Sequence, residues 1–211
     1  MTSSVLAVND LVLARHGRVL SRPLTFNLTK GEAMHVVGAN GSGKTTLLDT
    51  LATLSAPDSG TIRWQGRFHS EFGDELRALW HYCGHIDALK REWTLLENLQ
   101  WQARLIGQSL CKQTLKDILT QIALRSLVHV PVAQFSKGQQ RRAALARLRL
   151  INRPLWLLDE PFSALDVEGA DILVAWINEH LAVGGAVLFT THQGYPALQK
   201  APTLFHLDKG R

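Results

Sequence analysis

The sequence predicts an α/β fold with a mostly parallel core sheet, an N-terminal antiparallel β subdomain and an inserted helical subdomain. Short apolar runs separated by turn residues open the chain, strand-like and helix-like segments alternate later, and a purely helical stretch interrupts them. With 211 residues, 45% of them hydrophobic and 19% charged, the chain can bury a large core. We expect one domain over 1–211, with the core and β subdomain at about 1–84 and 151–211 and the helical subdomain at about 85–150.

The antiparallel part is predicted from the first thirty or so residues. The segments "SVLAVNDLVLAR" and "RVLSRPLTFNLTKG" combine short apolar runs with turn residues between them, which is typical of antiparallel strands. The later segment "SGTIRWQG" is another short strand flanked by glycines.

The parallel core is predicted from strands that alternate with helices. "EAMHVVG" (32–38) is a β run ending on glycine, and the helix after it places Leu47, Leu48, Leu51 and Leu54 at helical spacing. Further along lie the strand "PLWLLDE", the helix "DILVAWINEHL", the strand "GGAVLFTTH" and a last edge strand within "PTLFHLDKG". This alternation indicates a parallel sheet with ligands at the carboxyl ends of its strands.

The helical subdomain is predicted from a change of pattern between about 85 and 150. "TLLENLQWQARLIG" and "LKDILTQIALRSLV" are amphipathic helical segments, with no strand signal between them.

Charge and cysteine content narrow the class of protein. The net charge of +5 suits an anionic partner such as a phosphate ligand, nucleic acid or an acidic membrane face. Cys83 and Cys111 form no CxxC pair, so we expect two reduced thiols in a cytosolic protein. The N-terminus lacks the cationic head of a signal peptide, and no run of 18 apolar residues occurs, so any membrane role is expected to be peripheral.

A phosphate-binding loop is the most specific motif. "GANGSGKTT" (38–46) matches G-x-x-x-x-G-K-[ST] and lies between a predicted strand and a predicted helix. Its backbone N–H groups and the helix N-terminus attract phosphate oxygens, Lys44 can reach the β- and γ-phosphates, and the Thr45 hydroxyl can ligate Mg²⁺. The predicted nucleotide contacts are Gly38, Asn40, Gly41, Ser42, Gly43, Lys44, Thr45 and Thr46.

Two further strand ends supply candidate catalytic groups. "PLWLLDEP" presents Asp159 and Glu160 at its carboxyl end. Asp159 is suited to holding Mg²⁺ and Glu160 to orienting or deprotonating an attacking water, provided that the strand end twists enough to aim both at one ligand. His192, at the end of "FTTH", is placed to touch a γ-phosphate.

The segment "FSKGQQRR" (135–142) allows three interpretations: a nucleic-acid patch, a solvated helix, or half of a site for another anion. Ser136 and Gln139 have the spacing of a capping box, and Gly138 lies near the helix N-terminus, where free N–H groups bind anions. Because this helix belongs to the inserted subdomain, we expect it to serve the phosphate loop of a second copy of the chain.

The ordered motifs resemble those of one family. The phosphate loop, "FSKGQ", "LLDEP", "SALD" (163–166) and "TTH" are similar in order and spacing to the nucleotide-binding subunits of ABC transporters. The resemblance covers essentially the whole chain and implies an ABC cassette that hydrolyses ATP with Mg²⁺. It also implies that two copies enclose two ATP molecules, with Ser136, Gly138, Gln139 and Asp166 of each contributing to the nucleotide sites.

Within this family the chain is most similar to the ATP-binding subunits of the cytochrome c maturation system. The segments "GHIDALKREWTLLENL", "FSKGQQRRAALARLRL" and "GGAVLFTTHQ" carry this resemblance. It implies a peripheral protein on the cytoplasmic face of the bacterial inner membrane, paired with a small multi-span subunit in a two-plus-two complex, alongside haem-handling membrane proteins. ATP hydrolysis would drive either haem export or the release of a haem-loaded chaperone.

Three positions depart from the family pattern. Lys137 stands where a small residue is usual, and Arg15 or His16 stands where an aromatic usually stacks on adenine. His85 occupies the position of a loop glutamine that senses Mg²⁺, and the alternative is that Asp87 or no residue takes this role. Since Mg²⁺ accepts nitrogen ligands poorly, we expect His85 to act through hydrogen bonds to water or to the γ-phosphate.

Two rival functions share the nucleotide-site residues. One is the ATPase of a transporter for another substrate, which would differ only in its membrane partner. The other is an ABC-type ATPase acting on DNA or ribosomes. That class uses long coiled coils, a Cys-pair hook or two fused cassettes, and the sequence contains none of these. We therefore expect no nucleic-acid partner.

Overall fold

The structure is a computed structural model that describes residues 4–15, 17–105 and 107–208. The chain divides into two compact units. The first, here the sheet unit, consists of Met1–Gly84, Arg153–Pro161 and Trp176–Arg211. The second, here the helical unit, consists of His85–Asn152 and Phe162–Ala175.

Most elements along the described chain are of the predicted kinds, but the sequence analysis predicted no strand at Trp80–Cys83. The strands are β1 (Ser4–Val12), β2 (Ala14–Arg15), β3 (Arg18–Val19), β4 (Leu24–Thr29), β5 (Ala33–Val37), β6 (Ser59–Trp64), β7 (Arg67–Phe68), β8 (Trp80–Cys83), β9 (Leu155–Asp159), β10 (Ala186–Thr190) and β11 (Thr203–His206). The α-helices are α1 (Lys44–Leu51), α2 (Leu95–Leu105), α3 (Lys112–Gln121), α4 (Lys137–Leu145) and α5 (Val167–Ala182).

An antiparallel sheet contains the N-terminal strands, in the order β4-β1-β6-β7, and this confirms the antiparallel prediction. A register shift between Asn9 and Val12 marks a bulge in β1 where it pairs with β6. Such a bulge adds a residue to one strand and twists the pair locally.

The second sheet has the order β11-β5-β10-β9-β8, and every pairing in it is parallel. Each residue of β9 and of β10 is buried. A strand that is covered on both faces reads as a continuous apolar run, which is why "LWLLD" and "AVLFT" show no alternation. The prediction of a mostly parallel core with a last edge strand is confirmed.

Helix α1 packs its leucines into the core of the sheet unit, with Leu47, Leu48 and Leu51 fully buried. Leu54, which the helical spacing placed on the same face, lies beyond the end of α1 and is 66% exposed, so that part of the prediction is wrong. The helix ends earlier because Thr53 takes a left-handed conformation with φ of 59°, which stops the helical hydrogen-bond pattern.

Helix α3 is also shorter than the predicted amphipathic segment. Ala123 has φ of 54°, its N–H donates to the Thr120 carbonyl, and the N–H of Leu124 donates to the Leu119 carbonyl. This pair of bonds around a left-handed residue is a common helix C-terminal cap. The segment after α4 likewise continues as a tighter 3₁₀ turn (Ala146–Arg149), which both α2 and α3 contact.

Within the part of the chain that the structure describes, no helix has the length and apolar character needed to cross a bilayer.

Substitutions at two glycines would test how closely the backbone packs in the antiparallel sheet. Gly60 and Gly66 both have positive φ, 91° and 80°, but only a Cβ at Gly60 would overlap the backbone of Asp10 and lie 2.5 Å from the Cα of Leu11. Gly66→Ala should cost about 1–2 kcal/mol of unfolding free energy, the penalty of a left-handed alanine. Gly60→Ala should cost about 1–3 kcal/mol more because of overpacking. Urea unfolding of the two variants would measure the difference, and equal losses would contradict the close approach.

Candidate functional site

The phosphate-loop segment forms a turn between β5 and α1. Gly41 and Gly43 have φ of 73° and 102°, a region that favours glycine, and Gly43 is the N-cap of α1. A Cβ on Gly38 would lie 2.7 Å from both the Leu207 carbonyl oxygen and the Ser42 hydroxyl. The path of the loop backbone therefore favours glycine at these positions.

Polar groups of the loop are arranged to receive an anion. The Lys44 ammonium donates to the carbonyls of Gly38 and Ala39 at 2.7 and 3.2 Å, so the side chain folds back over the loop. The Ser42 hydroxyl is buried and has no hydrogen-bond partner in the structure. A loop that offers an ammonium, the N-terminus of α1 and an unsatisfied buried hydroxyl fits a phosphate chain.

The Asp159 carboxylate lies next to this loop at the carboxyl end of β9. It is buried, with Oδ2 accepting from the Thr45 hydroxyl at 2.8 Å and Oδ1 accepting from the Thr190 hydroxyl at 2.7 Å. The structure thus brings together Thr45 and Asp159, the two predicted Mg²⁺ ligands. No cluster of three or more His, Cys, Asp or Glu side chains suited to a metal occurs among the described residues. A hydroxyl and a carboxylate are oxygen ligands of the kind that Mg²⁺ prefers.

Glu160 departs from strand geometry, with φ of 48°. We expected twist at the strand end to bring Asp159 and Glu160 toward one ligand. In the structure, the left-handed conformation of Glu160 ends the alternation of side-chain directions along β9. Its Oε1 lies 3.0 Å from Nδ1 of His192, and its Oε2 accepts from the His192 backbone N–H at 3.3 Å. The structure brings together the predicted catalytic pair. Glu160 is 14% exposed and His192 is 59% exposed, so the histidine forms the solvent side of the pair.

Thr190 is a residue of this site that the sequence analysis missed. Its hydroxyl donates to Asp159 and accepts from the backbone N–H of Glu160 at 3.0 Å. It pairs in register with Asp159 across β9 and β10, which explains how one hydroxyl serves both residues. A sequence signal existed, since a polar pair, "TT", follows a fully apolar strand at its carboxyl end.

A polar cavity of about 400 Å³ opens beside α1. Its lining residues are Ala14, Arg15, Gly17, Thr46, Asp49, Leu54, Ser55 and Ala56. Thr46, a predicted nucleotide contact, therefore lines the same cavity as Arg15, one of the two candidates for stacking on a base. The other candidate, His16, lies outside the described residues.

The residues of the predicted second half-site belong to the helical unit. The Ser136 hydroxyl accepts from the Gln139 backbone N–H at 3.2 Å, and Gln139 Oε1 accepts from the Ser136 N–H at 2.9 Å. The predicted capping box is therefore confirmed. A Cβ on Gly138 would lie 3.0 Å from the Ala164 carbonyl, so a small residue is required there, whereas Lys137 is exposed.

Asp166 stands at the start of α5. Its Oδ1 accepts from the Gly169 N–H at 2.9 Å, which caps the helix, and its Oδ2 lies 3.8 Å from Nη2 of Arg142. Arg142 also approaches Glu168 at 3.5 Å. These contacts hold one arginine after the capping box against the acidic start of α5, so the arginine serves the helical unit itself.

The two loop candidates, His85 and Asp87, have different environments. The His85 side chain is exposed. The Asp87 carboxylate forms an ion pair with Arg141 at 2.9 Å, and that arginine is only 4% exposed. Removing the Asp87 carboxylate would take this ion-pair partner away from the buried Arg141 guanidinium. Asp87 therefore has a structural role in the helical unit.

Comparison with known proteins gives a consistent result. The ABC transporter family model matches residues 21–163. The cytochrome c biogenesis ATP-binding export protein CcmA of Dechloromonas aromatica is 43% identical over 90% of this chain and 93% of its own length. The protein of the same name from Haemophilus influenzae is 41% identical over 92% of this chain and 93% of its own length.

Solved structures show the same architecture. An ABC transporter ATP-binding protein from Pyrococcus furiosus is similar with a TM-score of 0.81 and 25% identity, and the alignment covers 96% of each chain.

Proposed function

Because the chain belongs to the ABC transporter family, and within it to the cytochrome c biogenesis ATP-binding export proteins, we propose that it is the ATP-hydrolysing subunit of a membrane complex for cytochrome c biogenesis. The observation that carries the proposal is that Asp159, at the carboxyl end of β9, accepts from Thr45 of the phosphate loop and from Thr190 of β10, whose hydroxyl also accepts from the Glu160 N–H. This combination provides phosphate binding, metal binding and a base in a single unit.

The phosphate loop binds the triphosphate of ATP through its backbone N–H groups and Lys44. On binding, the Lys44 ammonium exchanges its two loop carbonyls for β- and γ-phosphate oxygens, which are stronger, charged acceptors. Thr45 and Asp159 would hold Mg²⁺, which would neutralise charge on the phosphates. Gly38, Asn40, Gly41, Ser42, Gly43 and Thr46 complete the phosphate contacts.

Glu160 accepts a proton from the attacking water, and His192 contacts the γ-phosphate. The two hydrogen bonds between them keep the carboxylate aimed from its left-handed backbone position. Thr190 supports the arrangement because the Glu160 N–H and the Asp159 carboxylate share its hydroxyl. A carboxylate positioned in this way supplies a general base, whose contribution to rate is typically about 10²–10⁴-fold.

A second copy of the chain completes each nucleotide site. We assign Ser136, Gly138, Gln139 and Asp166 to the nucleotide bound by the partner copy, because they belong to the helical unit while the phosphate loop belongs to the sheet unit. The capping box orients the start of α4 so that its N-terminus can receive phosphate oxygens. The whole chain then acts as one cassette, with its core and β subdomain at about 1–84 and 151–211 and its helical part at about 85–150.

His85 is assigned to the loop that reports on the membrane partner. Its side chain is exposed, whereas Asp87 is held by Arg141. We therefore give the γ-phosphate-sensing role to His85, acting through hydrogen bonds to water or phosphate and not as a metal ligand.

The membrane side of the proposal follows from the relatives named for cytochrome c biogenesis and export. The chain binds, as a peripheral protein, to the cytoplasmic face of the bacterial inner membrane, where two copies pair with two small multi-span subunits. Haem-handling membrane proteins complete the system, and nucleic acid takes no part. ATP hydrolysis drives either the export of haem or the release of a haem-loaded chaperone.

Catalysis is tested with two substitutions and two controls. Lys44→Ala should abolish ATP binding, and Glu160→Gln should keep ATP affinity within about twofold while lowering turnover about a hundredfold or more, because the amide cannot accept a proton. Phosphate release from Mg·ATP and nucleotide binding are the measurements. The exposed-residue variants Lys30→Ala and Glu75→Gln should behave as wild type. Near-normal turnover by Glu160→Gln would remove Glu160 as the base.

The dimer is tested by light scattering with and without ATP. The Glu160→Gln protein should be monomeric without nucleotide and dimeric with it. Ser136→Arg in that background should remain monomeric, because an arginine at this position conflicts with Lys44 of the partner copy by size and like charge. Gln121→Arg, on the exposed end of α3, is the control and should still dimerise. A dimer that forms equally without ATP would contradict the shared site.

The biological role is tested by gene deletion in the source organism. Deletion, or replacement by Lys44→Ala, should leave the cell without mature c-type cytochromes while b-type haem proteins persist. Haem staining after denaturing separation measures the c-type cytochromes, whose haem is covalently bound, and reduced-minus-oxidised absorption spectra of the membranes measure the b-type haem proteins. Normal c-type cytochromes in the deletion strain would instead indicate the ATPase of an ABC transporter for another substrate.

A further inference from the structure

A cluster of three rings lies behind the loop that carries His192. The His35 ring, on β5, stacks on Phe189 of β10 with centroids 4.8 Å apart and an interplanar angle of 10°. Tyr195 meets both rings edge-on, at 5.7 Å from His35 and 5.3 Å from Phe189. His35 and Phe189 are neighbours in register across the parallel sheet, so the stack is built into the strand pairing.

Both nitrogens of His35 have polar contacts. Nε2 lies 3.2 Å from the carbonyl oxygen of Thr191, and Nδ1 lies 3.5 Å from the hydroxyl of Tyr195. A carbonyl oxygen only accepts, so Nε2 carries the hydrogen, and in the neutral ring Nδ1 accepts from Tyr195. The ring can therefore satisfy both contacts in one neutral tautomer.

The environment favours that neutral form. Burial lowers the pKa of His35, and Lys44 lowers it further, while the bond to the Thr191 carbonyl and the charge of Glu160 act in the opposite direction. Burial also raises the pKa of Tyr195, which keeps the proton on its hydroxyl. A neutral imidazole that donates through Nε2 to the Thr191 carbonyl and accepts through Nδ1 from the Tyr195 hydroxyl is consistent with both distances.

The Thr191 carbonyl belongs to the same peptide unit as the His192 N–H. His35 holds the oxygen side of this peptide, and the nitrogen side donates to Oε2 of Glu160 at 3.3 Å. Because a peptide unit is planar and rigid, fixing its carbonyl fixes the direction of its N–H. One peptide thus joins His35 to the carboxylate that acts as the base.

We propose that His35 is a positioning residue for ATP hydrolysis, holding the peptide between Thr191 and His192 so that Glu160 and His192 keep their mutual geometry. The proposal rests on the proposed function. His35 itself lies behind the loop and acts through the peptide, while Glu160 and His192 face the substrate. A residue that merely filled space in β5 would need neither nitrogen, so the hydrogen bond is the part to be tested.

The first experiment compares His35→Gln with His35→Leu. Glutamine can place an amide donor near the position of Nε2, whereas leucine keeps bulk and removes the donor. His35→Leu should lower kcat by about tenfold to a hundredfold, as expected for displacement of a catalytic pair, while KM for ATP changes by less than about threefold. His35→Gln should recover most of kcat. His206→Leu, an exposed histidine of the neighbouring strand β11, is the control and should have no effect.

A double-mutant cycle tests whether His35 acts through its proposed target. In a Glu160→Gln background, His35→Leu should add little further loss of kcat, because the carboxylate through which His35 acts is already removed. Full additivity of the two losses would overturn the proposal. Equal losses of kcat for the glutamine and leucine variants would also overturn it, since that result indicates packing alone.

A spectroscopic measurement keeps the inference testable without turnover. Long-range ¹H–¹⁵N correlation spectra of the full chain at neutral pH should show His35 as the neutral Nε2–H tautomer, assigned by loss of its signals in His35→Gln. An imidazolium or the Nδ1–H tautomer would overturn the proposal. If the wild-type chain hydrolyses no ATP, the proposed function fails. If it hydrolyses ATP and His35→Leu is unimpaired, only the role of His35 fails.

Discussion

The organisation of this site depends on one buried carboxylate. Asp159 is 2% exposed, and an ionised group at such a depth is tolerated only when hydrogen bonds compensate for the lost water. Thr45 from α1 and Thr190 from β10 each donate to one of its oxygens. The carboxylate therefore connects the phosphate-loop helix with two adjacent strands, and the positions of the loop and of the strand ends depend on one another.

Backbone constraints also fix the residue that follows Asp159. Glu160, the next residue, takes a left-handed conformation, and its N–H is bound by the same Thr190 hydroxyl that serves Asp159. Strained conformations of non-glycine residues persist where the surroundings hold them, and they concentrate at functional sites. Here the holding contacts come from β10 and from the peptide that precedes His192. These contacts, which depend on the strand register, hold the backbone and the carboxylate of Glu160 in place.

In the helical unit, by contrast, the candidate residues are held by hydrogen bonds to residues close to them in sequence. The capping box of Ser136 and Gln139 spans four residues, and Asp166 caps the start of α5 by accepting from the Gly169 N–H. The ion pair of Asp87 with Arg141 is the longer-range contact that ties the loop after β8 to α4. All of these contacts lie within the helical unit.

The sequence could therefore predict the parts of the site whose geometry is local. The phosphate loop was predictable because glycines, a lysine and a threonine at fixed spacing already determine how the backbone turns and which groups face an anion. The capping box and the fully apolar strands were predictable for the same reason, since their signals lie within a few residues. The ends of α1 and α3 were not, because left-handed residues such as Thr53 and Ala123 carry no glycine to mark them.

By itself the sequence predicted most of the elements, the parallel character of the core, and the residues Lys44, Thr45, Asp159 and Glu160 as the candidate chemical groups. Only the tertiary structure decided how these groups are held. The Thr190 hydroxyl donates to Asp159, which lies 31 residues earlier in the sequence. His35 contacts the Thr191 carbonyl, which lies 156 residues later in the sequence. Such contacts depend on which strands become neighbours and in which register. That register is set by burial of the whole sheet, and no short stretch of sequence encodes it.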